Sequence, residues 1–383
     1  MPSSNSQIPI AKQSPRIAIV TDWLTSMGGQ ERVTLELHKI FPEAAIYTSV
    51  FDKANMPEFD GIDVRTTYLQ RILPKSLRYK HVLWPVLRAF AFRKLDLSEF
   101  DIIISNTTAE AKAVRKRPGA VHICNCNTPI RYYWSHYQEF KRDFNFGALN
   151  FIIRPLIPFF VRWMRKLDLQ SVEGVDVWLA NSTAVQARIK KYYNRSSTVV
   201  HPPVDIDRFE PARVRSDYYV ALGRQVPYKR IDLAVAAATE LGLPLRVYGS
   251  GGQHQQLVDM AGPSVQFFTD RFGDASDAAV ASALNQAKGY IFPAEEDFGI
   301  VQVEALAAGA PVIAYGKGGA LDIVQDGESG VLFDEQTVES VVNAIKRAEQ
   351  IDFLPATLRR KSKRFDSSLF RTKIRKIVSD QTT

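Results

Sequence analysis

Short apolar, β-branched runs alternate with helix-forming segments along most of this 383-residue chain. Continuous apolar runs are typical of parallel strands buried on both faces, and the helical segments between them are typical of the crossovers. The pattern therefore predicts an α/β fold with doubly wound parallel sheets. Strands are predicted at residues 16–21, 45–50, 102–105, 121–126, 177–180, 217–223, 245–249, 265–268, 289–292, 311–315 and 330–333.

The cycle of strands and helices starts twice, which for this length indicates two domains. We predict a first domain over residues 16–200 and a second over 201–359, with the carboxyl ends of both sheets facing a cleft. Residues 1–15 are polar and are predicted to be a disordered lead rather than a signal or anchor. No run of 18 apolar residues occurs, so we expect no membrane span.

Charge is distributed unevenly between the two halves. The whole chain carries +8, but residues 1–200 hold 28 Lys and Arg against 17 Asp and Glu, and the rest holds 21 against 24. The first half is therefore expected to meet an anionic partner: nucleic acid, phospholipid headgroups or a lipid pyrophosphate. No nucleic-acid-binding module is recognisable, which disfavours the first of these. Cys124 and Cys126 read as buried, reduced thiols, typical of the cytoplasm.

The segment from Glu296 to Glu304 is the strongest candidate for a ligand site. It follows a predicted strand and opens a short helix after a glycine turn. A helix N-terminus offers unpaired N–H groups, and carboxylates are good acceptors for sugar hydroxyls. This arrangement favours a sugar or phosphate ligand.

Cationic residues and glycines suited to a diphosphate occur elsewhere. Arg224 and Lys229 follow a predicted strand and can stabilise negative charge on a leaving group. Gly28 and Gly29 permit close backbone approach from the first domain. A literal Asp-x-Asp match at residues 205–207 lies in a predicted connector, and with two cations available we predict that no metal is required.

Five patches together resemble the retaining GT-B glycosyltransferases of family 4, most of all bacterial mannosyltransferases that build polysaccharide repeat units on lipid carriers. They occur in the family's order and span roughly residues 16–335. These are Asp22-Trp23 with Gly28-Gly29-Gln30-Glu31-Arg32, Asn127-Thr-Pro-Ile-Arg131-Tyr-Tyr-Trp134, His201-Pro-Pro-Val-Asp205-Ile-Asp-Arg-Phe209, Gly223-Arg224 with Tyr228-Lys229-Arg230, and Glu296 to Glu304.

The resemblance implies a GT-B fold in which residues 360–383 return to the first domain as a helix. It implies a retaining, metal-independent transfer of mannose from GDP-mannose to a polyprenyl-pyrophosphate-linked saccharide, forming an α-linkage without a cofactor. Arg224 and Lys229 would bind the diphosphate and Glu304 the ribose. The catalytic set would be Glu296, Asn127, Arg224 and Lys229; the donor set would be Gly28, Gly29, Arg224, Lys229, Glu296, Phe298, Gly299, Ile300 and Glu304.

One position departs from the family's pattern. Relatives usually carry a histidine where this chain has Asn127, and asparagine can hydrogen-bond but cannot carry a proton near neutral pH. Three readings follow: Asn127 only hydrogen-bonds the sugar, His122 takes the histidine's place, or activity is weakened. We favour a sugar contact by Asn127, because His122 lies five residues back on the strand.

Aromatic and basic residues are interleaved in three segments of the first half, at 71–94, 132–142 and 159–166. Such segments suit the membrane interface, so we predict peripheral association with the inner leaflet of the cytoplasmic membrane. Arg131, Tyr132 and Trp134 are assigned to the acceptor or membrane side. The basic tail, residues 359–376, either adds to this surface or is a solvated face.

Two alternatives stay open. The same fold would serve a UDP-glucose, UDP-galactose or UDP-GlcNAc donor, because nothing in the sequence identifies the base. A non-catalytic nucleotide-sugar-binding protein would explain Asn127, although Glu296, Glu304, Arg224 and Lys229 argue against it.

Overall fold

The structure, a computed structural model, describes residues 15–79, 84–135, 137–138, 141, 150–268 and 277–382. Its first sheet is seven-stranded and parallel throughout. The strands are β1 Ile17–Thr21, β2 Ala45–Thr48, β3 Val64–Thr66, β4 Ile102–Thr107, β5 Val121–Cys126, β6 Val177–Ala180 and β7 Thr198–Val199. The strand order is β3-β2-β1-β4-β5-β6-β7, so the connections reverse direction between β1 and β4. In doubly wound sheets such a reversal opens the crevice in which ligands bind.

Helices cover both faces of this sheet. They are α1 Gly29–Ile40, α2 Leu69–Ile72, α3 Lys75–Arg78, α4 Pro85–Arg93, α5 Asn150–Val172 and α6 Thr183–Tyr193. Helix α5 continues through Pro155 and Pro158. Both prolines lie on its exposed side, where water can satisfy the carbonyl groups that lose their intrahelical N–H donors.

The second sheet repeats the same winding with six parallel strands in the order β10-β9-β8-β11-β12-β13. They are β8 Tyr219–Leu222, β9 Leu245–Tyr248, β10 Val265–Phe268, β11 Gly289–Phe292, β12 Val312–Tyr315 and β13 Gly330–Phe333. The accompanying helices are α7 Ile231–Leu241, α8 His254–Met260, α9 Asp277–Gln286, α10 Ile300–Ala307, α11 Ala320–Ile323, α12 Val338–Glu349, α13 Pro355–Ser362 and α14 Ser367–Asp380. The predicted fold class, two doubly wound parallel sheets, is confirmed.

The last helix returns to the first domain as expected. Phe370, Ile374 and Val378 of α14 are buried in one apolar cluster with Ile19 of β1 and Leu37 of α1. These α14 residues recur at i, i+4 and i+8, which is the spacing of a single helix face. The first domain therefore depends on residues that follow the second domain in sequence.

Replacing Phe370 with alanine tests this dependence. Phe370 is only 3% exposed, so its removal leaves a cavity and should lower the free energy of unfolding by about 3–5 kcal/mol. The neighbouring Leu369, 44% exposed, is the matched control, and its alanine variant should change stability little. Denaturant unfolding monitored by circular dichroism measures both. Equal effects of the two variants would contradict the packing described for α14.

Candidate functional site

The two domains approach each other closely at the start of α1. A Cβ atom built on Gly29 would lie 3.1 Å from Cδ1 of Ile300, the first residue of α10 in the second domain. Any larger residue at position 29 would therefore press on the opposite side of the cleft. The structure thus juxtaposes the predicted glycine pair with the turn that precedes α10.

The loop that carries Gly28 and Gly29 is positioned by a buried carboxylate. Asp22, directly after β1, is fully buried. It accepts hydrogen bonds from the side chain of Gln30 at 3.1 Å, the hydroxyl of Thr107 at 2.9 Å and the backbone N–H of Ala111 at 2.8 Å. Further donors come from the turn after β4. Asp22 thus joins the ends of β1 and β4 to the first turn of α1.

Glu31 is a second buried acid in this loop. It stands at the third helical position behind the N-cap Gly28, where a glutamate can reach back to the N-cap N–H. Burial raises the pKa of Glu31 to about 7, and the Asp22 carboxylate adds to the increase. Hydrogen bonds from the backbone of Glu31 and Gly28 oppose it.

On the second domain, residues 295–299 form the segment between β11 and α10, called here the motif loop. Its carbonyl at Glu296 accepts the N–H of Gly319 at 2.8 Å. A Cβ on Gly318 would lie only 2.1 Å from that oxygen, and Gly318 has a positive φ of 66°. Glycine is therefore required there for the loop to rest on its neighbour.

The motif loop ends in a left-handed Gly299, φ 94°, that caps the N-terminus of α10. Phe298 before it is buried and stacks on His201, with ring centroids 5.4 Å apart. It also meets Phe365 edge-on at 5.6 Å. These ring contacts attach the motif loop to the segments that connect the two domains.

The predicted donor residues Lys229 and Glu296 form an ion pair, with both side chains less than one-fifth exposed. Lys229 belongs to the segment after β8, and Gly223 of that segment packs against its aliphatic chain. Arg224 is exposed, and its guanidinium donates to the hydroxyl of Tyr228 at 3.0 Å. Lys229 and Glu296 are therefore in direct contact, whereas Arg224 lies to the side and faces solvent.

Glu304, one turn into α10, lies in a second charged group. Its Oε1 is 3.9 Å from Nη2 of Arg208. Asp277 binds Arg208 at 3.0 Å and Arg32 of the first domain at 2.6 Å. Burial raises the pKa of Glu304, while the positive charges of Arg208 and Arg32 oppose the increase. Arg32 is thus a cleft residue from the first domain, for which the sequence assigned no role.

Asn127 lies at the end of β5 within a buried group of amides. Its Nδ2 donates to Oδ1 of Asn106 at 2.9 Å, and its carbonyl accepts from the side chain of Asn181 at 3.0 Å. His122 is fully buried and faces Ser105 at 2.9 Å, and burial lowers its pKa to about 4. His122 is therefore a neutral core residue, which does not favour its taking the place of the family histidine.

The residues assigned to the acceptor or membrane side separate into three environments. Tyr132 is 49% exposed. Arg131 instead forms an ion pair with Asp297 across the cleft. Trp134 is partly buried, and its indole N–H donates to Asp168 at 2.7 Å. Trp134 therefore packs against residues of its own domain, and its assignment to the acceptor or membrane side stays a prediction.

The buried carboxylate of Asp168 explains this position. Lys112, almost fully buried, pairs with it at 2.7 Å, and the hydroxyl of Tyr193 donates to it at 2.8 Å. Charges removed from water need such partners. No local pattern in the sequence indicates this group, since its members come from distant segments.

The Asp-x-Asp match and the basic tail also have structural partners. Asp207 pairs with Arg359 at 3.3 Å, Lys361 with Glu328 at 2.6 Å and Arg371 with Glu36 at 3.0 Å. These tail cations therefore bind the protein's own carboxylates. Across the described residues, no group of three or more His, Cys, Asp or Glu side chains is placed to hold a metal ion.

Comparison with known families covers both domains. A family model described as Glycosyltransferase Family 4 matches residues 27–208, and one described as Glycosyl transferases group 1 matches residues 204–365. The chain belongs to the family 4 glycosyltransferases. The resemblance inferred from the five patches is confirmed.

Curated relatives of this family are about 30% identical to the chain. A D-inositol 3-phosphate glycosyltransferase of Nocardioides sp. is 30% identical over 223 residues, covering 48% of each chain. A GDP-mannose-dependent alpha-(1-6)-phosphatidylinositol monomannoside mannosyltransferase of Mycolicibacterium smegmatis is 30% identical over 200 residues, covering 44% of this chain and 52% of the relative. The chain thus spans about half the length of the curated relatives it matches.

Solved structures match over nearly the whole chain at lower identity. Anabaena HepE in complex with UDP-glucose has a TM-score of 0.69 at 17% identity and covers 95% of this chain and 99% of its own. Sucrose-phosphate synthase from Thermosynechococcus elongatus has a TM-score of 0.69 at 16% identity, covering 96% and 98%. These likenesses establish the shared fold.

The raised pKa of Glu31 predicts a pH dependence of stability. The carboxyl binds a proton more tightly folded (pKa about 7) than unfolded (4.5). The protonated carboxyl therefore contributes about 3 kcal/mol to the free energy of unfolding. This contribution is complete below pH 4.5 and is lost as pH rises through 7. The variant Glu31→Gln should no longer lose this stability as pH rises. The control variant Glu43→Gln, at an exposed residue, should lose as much stability as the unaltered chain. Urea unfolding at pH 5 and pH 8 measures it; an unchanged pH dependence in Glu31→Gln would contradict the assignment.

Proposed function

We propose that this protein is a retaining glycosyltransferase that transfers a hexose to a lipid-linked saccharide at the cytoplasmic membrane. The hexose is mannose, and its donor is GDP-mannose. One observation carries the proposal. The ion-paired Lys229 and Glu296 lie at the carboxyl end of the second sheet, Lys229 after β8 and Glu296 on the loop that leads into α10, and Ile300 of that helix lies against Gly29 of the first domain. A cation, a carboxylate and a helix N-terminus at one cleft suit a sugar diphosphate.

The Lys229–Glu296 pair suggests how a donor would bind. In the free site each charge neutralises the other with water largely excluded. An incoming diphosphate offers Lys229 a more negative partner, and a sugar's hydroxyls can donate to the Glu296 carboxylate. Donor binding would therefore replace the Lys229–Glu296 ion pair with contacts from Lys229 to the diphosphate and from the sugar to Glu296, at little electrostatic cost.

Bond cleavage places negative charge on the departing phosphate. Lys229, with Arg224 turned in from solvent, would stabilise that charge, and the first N–H groups of α10 would add the positive end of a helix dipole. We infer from these cations that no metal is needed. Retention, with an α-linked product, follows the family resemblance.

Two proteins similar to this chain favour different nucleotide bases in the donor. The mycobacterial relative named above is GDP-mannose-dependent by its name, which favours GDP-mannose. Anabaena HepE was solved with UDP-glucose, which favours a UDP-sugar as the second candidate. Glu304, whose side chain is 11% exposed beside Arg208, would bind the ribose in either case, as the family resemblance implies.

Helix α5 supplies the surface for a membrane-bound acceptor. Ile157, Val161 and Met164 pack inward, whereas the opposite side is exposed. On that side lie Phe151, Leu156, Phe159, Phe160 and Trp163, together with Arg154, Arg162 and Lys166. Aromatic rings beside cations suit the headgroup region of an anionic bilayer.

The other two predicted membrane segments contribute less. Phe92 is fully buried, and Arg88 pairs with Glu110 inside the domain at 2.8 Å. Part of each segment, including residues 80–83 and 142, lies outside the described residues. Within the described residues no helix has the length and apolar character to cross a membrane.

Donor binding tests the site assignment. Calorimetry in excess chelator with GDP-mannose, UDP-glucose, UDP-GlcNAc, GDP and UDP should show binding of the GDP species. The variant Lys229→Ala should weaken this binding by about 10–100-fold, which corresponds to the loss of a hydrogen bond to a charged group. Lys288→Ala, which removes a surface pair with Glu349, is the control. Preference for UDP would favour the second candidate. Rescue by manganese would reinstate Asp205 and Asp207, and no response to any nucleotide would favour a non-catalytic binder.

Vesicle flotation tests the membrane surface. The protein should float with vesicles that contain phosphatidylglycerol and not with phosphatidylcholine alone. Phe159→Ser with Trp163→Ser should reduce bound protein by about tenfold or more, since each ring loses its apolar burial. Val214→Ser, at an apolar residue 85% exposed, is the control. Flotation that ignores anionic lipid, or that survives the α5 double variant, would contradict this role.

A further inference from the structure

Asp297 of the motif loop is held by two arginines of the other domain. Arg131, in the turn after β5, donates to its Oδ2 from Nε at 3.1 Å and also from Nη2. Arg188 of α6 donates to Oδ1. A further bond joins Arg188 to the adjacent Glu295 at 3.1 Å. Arg131, Arg188 and Asp297 are called here the interdomain clasp.

The clasp is largely shielded from water. The side chain of Asp297 is 12% exposed, that of Arg188 15% and that of Arg131 26%. Removing one partner of such an ion pair is strongly destabilising, because it leaves the other charges buried and unpaired. The clasp therefore has the strength to affect the arrangement of the two domains.

A second contact attaches the same helix to the second domain. The carboxylate of Asp322 on α11 accepts the backbone N–H of Thr183, the first residue of α6, at 2.7 Å. A carboxylate at a helix N-terminus is favourable because it meets the positive end of the helix dipole. Helix α6 is thus bound through its first residue and, five residues on, through Arg188.

Asp297 separates two groups that the proposed reaction needs. Glu296 before it faces Lys229 within the second domain, and Phe298 after it begins the turn into α10. Successive side chains of this segment therefore point to different domains. When the arginines bind Asp297, they restrain the backbone on both sides of the position that would contact the donor sugar.

We propose that Arg131 and Arg188 are positioning residues that act through Asp297. When the domains close, the two arginines hold the motif loop so that Glu296 and the start of α10 have the geometry required for transfer. This inference rests on the proposed function for its effect on turnover. The clasp itself is a property of the protein without ligand.

The first arm of the test measures domain closure without substrate. Nitroxide labels on Glu173→Cys in the first domain and Gln256→Cys in the second are both at exposed positions, and both native cysteines are buried. Electron paramagnetic resonance should give a narrow distance distribution for the otherwise unaltered chain. Asp297→Asn should give a broader distribution with a displaced centre.

The matched control is Asp326→Asn, which removes an ion pair with Arg347 inside the second domain at 2.8 Å. It should leave the distribution unchanged. If Asp297→Asn fails to fold by circular dichroism, the double variant Arg131→Gln with Arg188→Gln replaces it under the same criterion. A distribution equal to that of the unaltered chain in a folded clasp variant would overturn the inference.

The second arm measures transfer. Asp297→Asn should lower kcat by roughly 100-fold, because displacement of a catalytic loop by about 1 Å costs that much, and donor KM should change far less. Asp297→Glu should recover most of the loss, because it restores the carboxylate. Adding Asp297→Asn to the double arginine variant should cause no further loss, since the three residues act as one unit.

The two arms separate the two proposals. Failure of the unaltered protein to turn over any nucleotide sugar would reject the proposed function, and the distance measurement would still decide whether the clasp closes the domains. Normal kcat in Asp297→Asn with a displaced distance distribution would overturn the positioning role, because the loop would then be set without the clasp.

Discussion

The cleft depends on the buried carboxylate of Asp22. Fully removed from water, this charge is stable only while several donors surround it. Those donors come from α1 through Gln30 and from the turn after β4 through Thr107 and Ala111. The arrangement of donors therefore dictates where α1 starts, and with it where Gly29 meets Ile300. An electrostatic requirement deep in the first domain thus helps to position Gly29 at the cleft.

The acidic residues of the motif loop each have a specified partner. The motif loop has three in succession, of which Glu296 is neutralised within its own domain and Glu295 and Asp297 by the first domain. Unpaired, three adjacent carboxylates would repel one another and any anionic donor. Part of the positive charge of the first half of the chain therefore neutralises these carboxylates, which allows the site to bind a phosphate. The remaining positive charge faces outward on surfaces such as α5.

The strands were predictable because buried parallel strands are continuously apolar, and all eleven of the expected runs lie within a few residues of observed strands. The two-residue β7 and the three-residue β3 were missed, since so few residues give no pattern. The glycines, Lys229 and the two glutamates were found through local motifs. Partners such as Arg188 and Asp297, 109 positions apart, carry no local signal, and neither did the burial of Trp134 against Asp168.

The chain crosses between the domains twice, and the crossings are joined to each other. Val204 donates its N–H to the carbonyl of Phe365 at 3.0 Å, and Ser367 donates to Val204 at 3.1 Å. Two segments joined by hydrogen bonds restrain the relative motion of the domains more than a single linker would. Three rings pack together beside these crossings, where His201 stacks on Phe298 and meets Phe365 edge-on, so the crossings and the motif loop are restrained together.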